Sequence, residues 1–211
     1  MLKIDFHVHT RKSDGLNSLD EILKHARRIG LNGVAITDHD IISVKKNVVL
    51  EDGFIVIRGI EVSTKQGHII LLDVNEAPRK GLDVREVIDF ANETGALVII
   101  PHPFDFLRNG LGKLSWIIPA DAVEVINAGC LFDYFNKKAF ILAEKRSLPM
   151  VAGSDAHALS ELGYAYTVIK SAASTPEEII EAIKKGLTIP IGRRYGIVKK
   201  IKRKISKFFH G

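Results

Sequence analysis

A chain of 211 residues with 46% hydrophobic and 26% charged residues has the balance of a globular protein with one sizeable core. Its apolar runs stay well short of the ~20 residues that a membrane span needs, and a single cysteine, Cys130, excludes an internal disulfide and fits a reducing, cytoplasmic setting. The net charge of +5 is unevenly placed: the last eight basic residues begin at Arg193, no acidic residue lies among them, and residues 1–192 hold 22 basic against 25 acidic residues, a net of −3.

The chain enters a short strand, Met1 to Ile4, at once, so no secretory signal is expected. That strand delivers Asp5-Phe6-His7-Val8-His9-Thr10. Side chains alternate along a strand, so His7 and His9 point the same way, as two imidazole ligands for one metal ion would. A loop, Arg11 to Gly15, precedes Ser18-Leu19-Asp20-Glu21, which has the form of a capping box. The helix it opens carries Leu19, Ile22, Leu23, Ala26 and Ile29 on one face and ends at Gly30. Gly33 to Thr37 reads as a buried strand running into Asp38-His39-Asp40.

The pattern recurs. Phe54 to Ile60 is a strand ending at Glu61, and a strand over residues 67–72 starts near His68. Asp83 with Glu86 caps a helix to about Thr94. Ala96 to Ile100 delivers Pro101-His102-Pro103, and Ala122 to Ile126 delivers Asn127 before a helix over roughly residues 131–146. Pro149 to Gly153 delivers Ser154-Asp155-Ala156-His157, and Tyr164 to Ile169 is a late strand. Thr175-Pro176-Glu177-Glu178 starts a last helix, and Ile189 to Gly192 is a final strand. Continuous apolar strands alternating with helices argue for a parallel sheet covered on its outside. His7, His9, His39, Glu61, His102, Asn127, Asp155 and His157 fall at or just past strand ends, the rim where a (β/α) barrel builds its site. Imidazole and carboxylate donors without thiolate suit Mn, Fe or Zn in an open catalytic site. They are too many for one ion, and two or three ions are expected.

His7-Val8-His9, Thr37-Asp38-His39, Gly59-Ile60-Glu61, Pro101-His102-Pro103 and Gly153-Ser154-Asp155-Ala156-His157, in that order, resemble the motifs of the PHP (polymerase and histidinol phosphatase) family. The resemblance implies an α/β fold, a distorted (β/α)7 TIM-like barrel, and a phosphoesterase site with two or three divalent metal ions. Carried over residue by residue, it implies a first ion at His7, His9, Glu61 and Asp155. Glu61 bridges to a second ion at His68 and His102, and Asp14, His39 and His157 hold a third. Residues 1–194 form the barrel domain on this reading, and residues 195–211 a basic tail.

A cation is also needed to stabilise charge on phosphoryl oxygens. Arg193, Arg194, Arg108 and Arg11 are the candidates, with Arg193 preferred because the final strand aims it at the rim. Asp38 and Asp40 flank His39 and either orient it or protonate a leaving group. Asn127 lines the site or caps the next helix. The expected function is hydrolysis of a small phosphomonoester, such as a nucleotide or sugar phosphate. Alternatives are a nuclease acting on nucleic-acid ends, an amidohydrolase-type enzyme, and an inert barrel that binds nucleic acid or a membrane surface. The last draws on the tail, where Val198, Ile201, Ile205 and Phe208 follow helical spacing among lysines. Nothing in the sequence decides the oligomeric state.

Overall fold

The computed structural model describes residues 1–196; the amphipathic reading of the tail, from Val198 on, lies outside them. Ten strands among the described residues form a single sheet, curled into a nearly closed barrel. They are β1 (Leu2–Val8), β2 (Gly33–Ile36), β3 (Val48–Val49), β4 (Ile55–Ser63), β5 (His68–Leu72), β6 (Leu97–Ile100), β7 (Ala122–Asn127), β8 (Met150–Gly153), β9 (Ala165–Ile169) and β10 (Thr188–Gly192). The order is β10-β9-β1-β2-β4-β5-β6-β7-β8, with β3 on the side of β4. The seam is closed where Val8 bridges to Ala156 and where the Thr167 hydroxyl bonds both the amide and the carbonyl of Ala152, at 2.8 and 3.1 Å.

Among the described residues, four helices cover this sheet: α1 (Leu19–Arg28), α2 (Val84–Thr94), α3 (Asp133–Arg146) and α4 (Pro176–Lys184). Three of them start in capping boxes, formed by Ser18 with Glu21, Asp83 with Glu86, and Thr175 with Glu178. Each box satisfies two amide donors that the first turn leaves open. The apolar face of α1 packs on Val8, Val34, Ile36 and Val56, and that of α2 on Ile60, Val62, Ile69 and Val98. The barrel interior is filled by Ile4, Phe6, Ile57, Ile70, Leu97 and Ile99, joined by Ile179 and Ile183 of α4. Each such fully buried side chain contributes roughly 1.5–3 kcal/mol by leaving water.

The sheet is not purely parallel, contrary to expectation. β5 runs antiparallel to both β4 and β6, and β9 antiparallel to both β1 and β10. The loop between β4 and β5 is four residues long, which permits a hairpin and rules out a parallel crossover. The reversal brings the first residue of β5, His68, opposite Ser63 at the end of β4. It thus stands at the rim where the parallel strands end. Glu61 lies inside β4 rather than past it, on the half of that strand that pairs with β5.

Candidate metal centre

The site begins with an irregularity in β1. Ile4 and Asp5 pair with Gly33 and Val34, but Val8 pairs with Ile36, so β1 carries one extra residue. Such a bulge shifts which side chains face inward. Below it Ile4 and Phe6 point into the apolar interior, and above it Val8 packs under α1, which leaves His7 and His9 side by side, ring centroids 5.1 Å apart. Both are buried. Asp5, also buried, holds the bulge by accepting from the amides of His7, Ser154 and Gly163. Burial pushes its carboxyl up to about 6.

Glu61 divides the histidines between its two oxygens. His7 Nε2, His9 Nε2 and His39 Nδ1 lie 3.2, 3.3 and 3.3 Å from Oε2. His68 Nδ1 and His102 Nε2 each lie 2.9 Å from Oε1. Asp155 Oδ1 adds a second carboxylate to the first group, 3.9 Å from His7 Nε2 and 3.5 Å from His9 Nε2. A further group gathers around Asp14, whose Oδ1 is 3.0 Å from His157 Nε2, 3.9 Å from His9 Nδ1 and 4.0 Å from His39 Nε2. Ligand atoms of His9, Asp14, His39 and His157 all lie within 4.8 Å of one another, as do those of His7, His9 and Glu61, of His7, His102 and Asp155, and of His39, Glu61 and His68. The nine candidate ligands therefore converge.

The donor chemistry fits cations. His7 Nδ1 donates to Glu124 Oε1 at 3.0 Å, and His157 Nδ1 donates to the Asp155 carbonyl at 3.0 Å. The other nitrogen of each ring faces a carboxylate oxygen, so a proton or a metal cation must lie between them, and in the neutral form that nitrogen is a free ligand lone pair. Neither nitrogen of buried His9 makes a hydrogen bond. Burial, with the charge of His157, pulls its pKa down to about 3, leaving the neutral, ligating form. Burial alone would raise Glu61, yet His68, His7 and His39 around it hold its carboxyl well below the usual range. Asp155 is held low in the same way against its burial, chiefly by Arg108 and His7.

The other expected residues take varied places. Arg108 comes from a 3-10 turn, Phe106–Arg108, and donates to Asp155, to the Gly129 carbonyl and to the Tyr195 hydroxyl. A side chain at Gly129 would collide with that guanidinium. Asn127 donates to Asp155 at 3.1 Å and to Glu124 at 2.8 Å. Arg193 stands apart, exposed, with its guanidinium over the Tyr164 ring at 5.7 Å. Arg194 ties to Asp133 and the Leu131 carbonyl, and Arg11 to Glu21. Asp38 spends both oxygens on Thr10 and Ser13, fixing the loop that carries Asp14. Asp40 accepts from the Ser63 amide at 2.7 Å and braces the β4 end.

Glu124 is missing from the sequence-based set. It sits inside β7, buried, joined to His7, the His102 amide and Asn127. The signal was a lone acid within an apolar strand, Ala122-Val123-Glu124-Val125-Ile126; a buried carboxylate of that kind needs partners. Gly153 makes room for it, since a side chain there would meet both His7 and Glu124.

Among known families, the one described as PHP domain matches residues 5–100, and the one described as PHP-associated matches residues 133–188. Two uncharacterized proteins of Methanocaldococcus jannaschii are similar. One is 37% identical over 141 residues, covering 60% of this chain and 82% of the other; the second is 32% identical over 197 residues, covering 87% and 79%. Among solved structures, a Bacteroides vulgatus two-domain protein containing a predicted PHP-like metal-dependent phosphoesterase superposes with a TM-score of 0.72 at 23% identity over 91% of this chain. The chain spans 65% of that protein. A lesion-specific endonuclease from Pyrococcus furiosus superposes with a TM-score of 0.62 at 21% identity, covering 87% of this chain and 56% of the endonuclease.

Proposed function

The chain belongs to the PHP domain family, and on that premise we propose that it is a metal-dependent hydrolase of small phosphate monoesters, such as a nucleotide or sugar phosphate. The observation that carries this reading is the division of Glu61 between two histidine groups, His7 and His9 on Oε2 and His68 and His102 on Oε1. A carboxylate shared in this way suits two adjacent divalent ions, with Mn, Zn or Fe matching the nitrogen and oxygen donors. The Asp14, His39, His157 group would hold a third. Such ions supply Lewis-acid charge for phosphoryl oxygens and acidify water.

The chain's own groups do the rest. Glu124 and the Asp155 carbonyl fix the tautomers of His7 and His157, so their Nε2 lone pairs face the cluster. Arg108 holds a fixed positive charge at the cluster edge, its pKa raised, against burial, by Asp155. A phosphoryl oxygen drawn beside Asp155 meets that guanidinium, whose planar fork suits phosphate. This gives Arg108, rather than the exposed Arg193, the role of the stabilising cation.

A second reading, a nuclease that cleaves nucleic acid, draws support from the endonuclease that shares the fold and from the eight basic residues that begin at Arg193. The test of both is metal content together with hydrolysis of an aryl phosphate, nucleotides and short oligonucleotides, with and without Mn, beside His7→Ala and Asp155→Ala. Bound ions and hydrolysis lost in both variants support the phosphoesterase, and the preferred ester decides between the readings. Metal-independent activity, or none, removes it.

A further inference from the structure

In the segments that follow β6 and β7, the first of which carries His102 and Arg108, aromatic rings stand in solvent. Phe106 and Leu107 are 70% and 58% exposed, and Phe132 and Tyr134 54% and 62%. Exposed apolar side chains grouped in this way mark a contact surface. We propose that Phe106 and Phe132 form a platform on which a planar ring of the substrate stacks, so that the preferred esters are nucleotides rather than bare sugar phosphates. The proposal rests on the phosphoesterase reading and names its substrate class.

The platform is held in place and joined to the site. Phe106 and Phe132 both pack edge-on to Phe135, with centroids 5.8 and 5.9 Å away and interplanar angles of 89° and 66°. Edge-to-face packing of this kind orients rings rather than merely burying them. Asp105, buried, binds the two ring-bearing segments together, accepting from Leu107 N at 3.1 Å and Leu131 N at 3.4 Å. Its own amide donates to the carbonyl of His102, a candidate metal ligand, at 3.0 Å. Phe106 lies four positions after His102, a reach of at most about 14 Å even when extended.

The same turn carries the cation. Arg108, two residues after Phe106, turns inward to Asp155 while Phe106 turns out. One short segment therefore offers a guanidinium for a phosphate at depth and, two residues earlier, a ring at the surface. A nucleotide has that layout, with an anionic ester joined to a flat base through one sugar. The loop carrying Asp14 is held by Asp38, Thr10 and Ser13 and brings a carboxylate, not a ring, to the histidines, so the aromatic segment is where the organic part of the ester would lie.

The test compares adenosine 5′-phosphate with ribose 5-phosphate, which differ by the base alone. With the full chain and Mn, kcat/KM is expected to favour the nucleotide by about tenfold, the scale of one stacked base. Phe106→Ala and Phe132→Ala should each remove most of that preference, and Phe132→Trp should retain it. Equal efficiency for the two esters, or a preference untouched by both alanine variants, overturns the platform. If neither ester is hydrolysed, and neither an aryl phosphate nor an oligonucleotide is, the phosphoesterase reading fails. The platform is then judged by calorimetric titration with adenosine, where binding lost in both alanine variants supports it and no binding overturns it. A dimer that dissociates in Phe132→Ala, with nucleotide preference unchanged, assigns the rings to contact between copies and also overturns it.

Discussion

Glu124 Oε1 lies 3.0 Å from Nδ1 of His7, and through that bond an acid buried in β7 sets the face that a β1 histidine turns to the cluster. Burial would lower His7, but Asp155, Glu124 and Glu61 raise it well above the usual histidine value. Removing such a partner of a ligating histidine typically costs 10–100-fold in metal affinity. Glu124→Gln should therefore weaken metal binding by about that factor while leaving the fold intact. Calorimetric titration with Mn or Zn, beside circular dichroism, checks it.

Arg108 and Asp155 form a buried pair, and breaking such a pair by removing one partner is costly because a charge is left alone. In the metal-free protein Arg108→Met should cost on the order of 3 kcal/mol. With metal bound, Asp155 has another positive charge, so the cost should shrink. Thermal unfolding of both proteins in chelator and in Mn measures the difference. An equal loss under both conditions would show that Arg108 acts through packing alone.

Glu61 serves two groups of histidines, whereas His68 serves one. After dialysis against chelator and reloading, Glu61→Ala should retain fewer equivalents of metal than His68→Ala. Both should lose hydrolysis. Metal analysis of the two variants alongside the parent protein distinguishes a shared carboxylate from one that belongs to a single ion.

The capping box of α1 gives a pH signature from a carboxylate outside the cluster. Bonds from the Ser18 amide, the Ser18 hydroxyl and Arg11 pull the Glu21 carboxyl down to about 2 from 4.5. The folded value lies below the unfolded one, so the contribution is complete above about pH 4.5 and lost as pH falls through about 2. Glu21→Ala should therefore unfold at lower urea than the parent protein at pH 7, and the gap should narrow steadily below pH 4. Urea titrations at several pH values test this.

What the sequence by itself determined was local in origin. Capping boxes depend on residues three apart, so Ser18, Asp83 and Thr175 announced their helices, and apolar runs bounded by polar residues announced most strands. The strand-end histidines, with Glu61 and Asp155, were legible as candidate ligands because imidazole and carboxylate side chains recur just after apolar runs in a familiar order of short motifs. Tertiary structure alone decided how those groups meet. The split of Glu61 between two oxygens depends on β4 pairing with β2 on one half and β5 on the other. The place of His68 depends on β5 reversing direction, and the pairing of Glu124 with His7 on a contact across 117 residues. Arg108 turns inward to Asp155 and Arg193 stays out over Tyr164, though both are arginines in rim-side segments. Side-chain direction at a turn or a bulge is set by long-range pairing and close packing, and a linear pattern of residue types does not carry it.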